Sequence, residues 1–230
     1  MADSSSNSKL SITRLILIPV VITLLITFLR LEGELHHWSK ILFNPVPGGG
    51  GAIVGISWLP IIFGPYFAMK LAGRGYEPTS FGKSIGYAVL GVVILIAGGF
   101  VGFAPVINFP GRALVGLLIM AAAAALQFVP WRSLAKTLIA YAYGARIPVA
   151  IVMYFAIRGG WGTHYDALPP EPVSASFWPK YIQIALLPQL VMWIAYTIVL
   201  GTLVGAIYAA VAHRKTTAPA VPGSHQPAGA

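Results

Sequence analysis

Glu34, His37, His164 and Asp166 are the residues of this chain whose types could hold a metal ion. They come from two short polar runs, Glu32-Gly-Glu34-Leu-His36-His37 and His164-Tyr-Asp166. Imidazole and carboxylate are the ligands that zinc, manganese and non-haem iron accept. On a helix Glu34 and His37 share a face, being three residues apart. No fixed spacing links the two runs and no His-Glu-x-x-His motif is present, so a divalent-metal centre is a reading of residue type alone. No other cofactor is expected.

A second candidate is Arg146. Arg132, Lys136, Tyr143 and Arg146 fall on one stripe of a helix at 100° per residue. Pro148 follows and removes a backbone donor. A helix broken there would offer Arg146, with Tyr143, to an anionic substrate. A plainer reading has Arg146 reaching back to the headgroups along its own aliphatic stem. In a third, residues 132–145 lie along the membrane surface as an amphipathic helix.

The elements that must position these residues follow from composition. Hydrophobic residues make up 57% of the 230 and charged residues 9%, with a mean hydropathy of +0.78. Soluble domains carry roughly 25% charged residues, so lipid must be the solvent here. An all-α, polytopic membrane bundle is expected, with about six spans at 11–29, 52–71, 84–103, 113–129, within 134–157 and within 181–212. The third domain-level boundary is a Pro/Ala/Gly-rich tail, 213–230, matched by a Ser/Asn-rich tail at 1–11; both read as disordered, flanking a transmembrane domain at 12–212.

Loop one carries Leu35, Trp38, Ile41 and Leu42 on one face of a short interfacial helix over 34–43. The run Gly48–Gly51 is a flexible linker. Pro188 is expected to divide the last span into a turn and a span proper. With both termini inside, the inner side holds nine Lys and Arg (Lys9, Arg14, Lys70, Arg74, Lys83, Arg132, Lys136, Arg214, Lys215) and the outer side five (Arg30, Lys40, Arg112, Arg158, Lys180). That is the positive-inside pattern, and it favours an N-in/C-in protein of a bacterial inner membrane.

The net charge of +9 serves the same topology. No basic run exceeds Arg214-Lys215, which excludes a nucleic-acid partner. The chain has no cysteine, so disulfide, thiolate-metal and thiol-redox chemistry are excluded. All six carboxylates (Asp3, Glu32, Glu34, Glu77, Asp166, Glu171) fall outside the expected spans, which counts against cation-coupled transport.

Four pairs, Gly51/Gly55, Gly82/Gly86, Gly98/Gly102 and Gly201/Gly205, allow close helix packing within the chain, with a second copy, or with a membrane-protein partner. The first expectation for function is therefore a non-enzymatic accessory or scaffold subunit acting through helix packing. The alternatives are a transporter or channel for a small anionic or amphipathic solute, and a metal-dependent membrane enzyme using the outer-face cluster.

Overall fold

The structure is a computed structural model, and it describes residues 11–47, 52–169 and 173–217, with side chains as far as Arg214. The chain is all-helical, as expected; no strand occurs among the described residues. Helix α1 (Ile12–Leu35) starts at Ser11, whose hydroxyl accepts from the Arg14 N–H at 3.4 Å. Helices α2 (Leu59–Ala72), α3 (Phe81–Phe103), α4 (Arg112–Leu126) and α5 (Arg132–Gly159) follow. A last leg runs through α6 (Phe177–Tyr181), two π-helical turns (Ile182–Leu186 and Pro188–Met192) and α7 (Trp193–Thr217).

Six helical legs match the six expected spans in order, but only four are long and apolar enough to cross a membrane: α1, α3, α5 and the leg Phe177–Arg214. α2 has 14 residues and α4 has 15, so each rises only about 21–23 Å at 1.5 Å per residue. α2 starts late, at Leu59 with Pro60 in its first turn, and α4 starts after Gly111, at φ 80°, but ends early, at Leu126. Both are shorter than the roughly 30 Å of a hydrocarbon core. The ambiguous fifth segment is resolved as one unbroken 28-residue helix, with Pro148 inside it.

Other boundaries differ from expectation. The interfacial helix over 34–43 is absent; α1 runs on to Leu35, and residues 36–43 form turns clipped to the next loop by Ile53 N–H to Ile41 O at 3.2 Å and Val54 N–H to Leu42 O at 3.0 Å. α7 continues past Ala212 to Thr217, so the start of the expected disordered tail is helical. The rest of that tail, residues 1–10 of the other one, and Glu171 lie outside the described residues, as do Gly51 and the rest of the Gly48–Gly51 run. Pro188 does not break its leg. Lacking an N–H, it cannot make the ordinary helical bond, and the backbone widens instead: Leu187 N–H reaches Ile182 O, and Trp193 N–H reaches Pro188 O, both five residues back.

Legs pack by their small residues. A Cβ on Gly64 would strike the backbone of Gly201, and one on Gly205 would strike the backbone of Gly64, so α2 and α7 touch main chain to main chain. Gly98 and Gly102 of α3 meet Gly116 of α4 in the same way. Around these contacts Phe63, Phe67, Leu134, Leu138, Tyr141 and Ile198 form the buried core. Tyr141 packs edge-on against Phe63, with centroids 5.3 Å apart, and its hydroxyl pairs with Thr23 of α1 at 2.9 Å. Leu17, Ile18, Leu25 and Phe28 of α1 and Val93, Ile96 and Phe100 of α3 face outward, where lipid would solvate them.

The legs alternate in direction. At one end Trp131 Nε1 donates to Tyr76 O at 2.7 Å, and His213 approaches Glu77 at 3.9 Å. At the other end α1 meets the loop after α5, and the candidate site lies there.

Candidate functional site

Glu34 sits in the last turn of α1 with no exposed side chain. Arg30, one turn earlier, donates from Nε to Glu34 Oε1 at 2.8 Å. The spacing of four puts the two on one face, each offsetting the other's burial. His164 completes the arrangement from the loop after α5. Its backbone N–H donates to Glu34 Oε2 at 2.8 Å, and its Nδ1 lies 2.6 and 2.8 Å from the two carboxylate oxygens. Arg30 also reaches Asn44 O at 3.0 Å, tying down loop one. The carboxylate thus joins α1, loop one and loop five.

Of the four candidate ligands the structure brings together two. Glu34 and His164 meet; His37 and Asp166 have other roles. His37 is exposed and takes φ 53°, a left-handed turn that reverses the chain past the end of α1. Asp166 turns back on its own loop: its carboxylate accepts from Gly162 N–H at 2.9 Å, Thr163 N–H at 2.8 Å and the Thr163 hydroxyl at 2.8 Å. Among the described residues no group of three or more His, Asp or Glu is arranged to hold a metal ion.

Burial lowers the His164 pKa and Arg30 lowers it further, while the hydrogen bond to Glu34 and the charges of Glu34 and Asp166 raise it; the balance lies below the ordinary imidazole value. Tyr165, deeply buried beside it, has its phenol pKa raised, chiefly by burial. Its hydroxyl donates to Thr27 O at 3.1 Å, holding loop five against α1.

Behind this cluster lies a cavity of about 680 Å³, walled by α1, α4, α5 and the π-helical turns. Arg30, Arg112, Arg146, His164, Gln183 and Gln189 are among its polar groups, with Thr27 and Ser57, and among the described residues no Asp or Glu lines it. Arg146 neither reaches the headgroups nor sits at a helix break. It is 5% exposed on continuous α5, its Nη1 donating to Gln189 Oε1 at 3.3 Å and its Cζ stacked 4.6 Å from the Trp193 ring centroid. Both partners come from the widened leg, so Pro188 places them. Tyr143 lies on the outer side of α5, 39% exposed and away from the cavity wall.

Sequence reasoning missed Arg30, Arg112, Gln183, Gln189 and Trp193. The amides had one local signal: polar side chains within a strongly apolar run, Gln189 directly after a proline. Arg30 had another, its spacing of four from Glu34.

No protein family, curated protein or solved structure matches this chain. The class that the fold defines is therefore the coarse one: a helical protein with, among the described residues, four helices of membrane-spanning length and composition.

Proposed function

We propose that the protein is a membrane transporter for a small amphipathic anion, bound in the Arg146 cavity. The observation that carries this reading is the state of Arg146. Its guanidinium is buried on the wall of a cavity that no acid lines among the described residues, and its partners there, Gln189 and Trp193, are both neutral. A buried charge is stabilised by an opposite charge and hydrogen bonds, and a ligand anion would supply both. The rest of the lining is predominantly apolar, with Val149, Met153, Leu187 and Met192, which suits an alkyl or aryl body behind the anionic head.

The basic residues near Trp131 and the end of α7 support assigning that end to the cytoplasm, in an N-in/C-in protein of a bacterial inner membrane. The scaffold reading has less to rest on, because Gly64, Gly98, Gly102, Gly201 and Gly205 all pack within the chain.

The test is uptake of radiolabelled octanesulfonate, whose charge keeps it from leaking through lipid, into proteoliposomes. Saturable uptake above protein-free liposomes is expected. Arg146→Gln removes charge-assisted hydrogen bonds of about 1.5–3 kcal/mol, so half-saturation should move about 10- to 150-fold higher. Uptake equal to that of protein-free liposomes, or unchanged in Arg146→Gln, would sink the proposal.

A further inference from the structure

His164 shares the wall of the Arg146 cavity but makes no bond to Arg146. Its geometry fixes its chemistry. Nδ1 faces two carboxylate oxygens, which only accept, so Nδ1 carries the proton. In the neutral ring Nε2 is then a lone pair. Among the described residues Nε2 has no hydrogen-bond partner.

Glu34 therefore acts on this imidazole as an orienting group: it sets the tautomer and leaves the basic nitrogen unoccupied on a residue of the cavity wall. Glu34 thus lies in a helix rather than a loop, in the last turn of α1, bonded to a residue of the cavity wall. The charged groups around the ring are Glu34 and Arg30 from α1 and Asp166 from its own loop, with Arg112 of α4 and Arg146 of α5 on the same cavity wall. Arg30 and Glu34 cancel, and a proton on Nε2 would add one positive charge to a wall already positive through Arg112 and Arg146. An anion in the cavity compensates that charge.

We propose that His164 is the site of a co-transported proton: the anion and one proton enter the cavity together, the proton adding to His164 Nε2. The step forms one N–H bond, the proton leaving hydronium or a buffer acid, and reverses on release; no other bond changes. Coupling is reciprocal, so protonation tightens the anion as much as the anion tightens the proton. This rests on the cavity reading above and names its co-substrate.

The test is calorimetric titration of the full chain in nanodiscs with octanesulfonate, which does not itself titrate near neutrality, in two buffers of different ionisation enthalpy. Empty nanodiscs correct for partitioning. Between about pH 6 and 7, near the ordinary imidazole range, wild type should take up about half a proton per anion bound, the most that a tenfold coupling allows. Its Kd should weaken about tenfold, within the usual range of coupling factors, on going to about pH 8.5. His164→Asn keeps a donor near the Nδ1 position for Glu34 and has no basic nitrogen; it should bind with a pH-independent Kd and no proton uptake.

Saturable wild-type binding without proton uptake overturns the proton site and leaves the anion cavity standing. Equal uptake in His164→Asn does the same. No saturable binding by wild type, or equal binding by Arg146→Gln, overturns the cavity reading and the proton site with it. The wild-type proton count decides the matter even if His164→Asn does not fold.

Discussion

Glu34→Ala removes the acceptor for three donors at once: Arg30 Nε at 2.8 Å, the His164 N–H at 2.8 Å and His164 Nδ1 at 2.6 Å. The larger consequence is electrostatic. Arg30 keeps Asn44 O but loses the carboxylate beside it while its side chain is only 9% exposed. Leaving one half of a buried ion pair costs about 3–5 kcal/mol. For a chain of this size about 1 kcal/mol moves Tm by about 2–4 °C, so Tm should fall about 6–20 °C in nanodiscs of fixed lipid. Removing both charges should cost less than the single change implies, because no charge is then stranded. Arg30→Met/Glu34→Ala should therefore show a coupling of about 1–3 kcal/mol relative to the sum of its parts. Thermal unfolding followed by tryptophan fluorescence reads all four proteins. A Tm drop under about 2 °C for Glu34→Ala, or strict additivity in the cycle, would refute the idea that this carboxylate holds the three segments together.

Other outcomes follow from the same structure. Gly64→Val forces α2 off the Gly201 backbone and should cost about 1–3 kcal/mol, whereas Gly86→Val, with nothing within 4 Å of its added Cβ, should stay within about 0.5 kcal/mol of wild type; parallel melts compare them. Asp166→Ala removes three acceptor bonds in loop five and should raise hydrogen exchange at Gly162 and Thr163 while leaving the α1 core protected. Because the folded-state pKa of His164 is lowered, the unfolded chain binds its proton first as pH falls. The stability contributed by neutral His164 is then full above about pH 6.5 and is lost progressively below it. Tm should decline there without ligand, His164→Asn should flatten the decline, and octanesulfonate should offset it.

The helical class and the order of the legs were legible because apolar stretches need no partner to declare themselves. The meeting of Glu34 with His164 was legible too, since both runs fall on the same side of an alternating chain. The cluster's other half was not. His37 is carried away by a left-handed backbone turn, and Asp166 finds nearer donors in its own loop; neither local preference shows in residue type or spacing. Glu34 was placed in a loop because charge was taken to end a span. α1 continues because Arg30 and Glu34, one turn apart, satisfy each other. The cavity had no signature in periodicity. It depends on Gln189 and Trp193 facing Arg146, which follows from the wide turns beside Pro188.

The contact of Gly64 with Gly201 also bears on how the chain is made. α1 packs chiefly on α5, and α2 chiefly on α7. A ribosome delivers the first two helices long before either partner exists. Until α5 and α7 emerge, both sit in the bilayer with their small and polar faces uncovered, where another protein or another copy can take the place meant for the C-terminal legs. Assembly of this fold is therefore completed by its last helix, and a chain stopped before Trp193 would leave Gly64 bare.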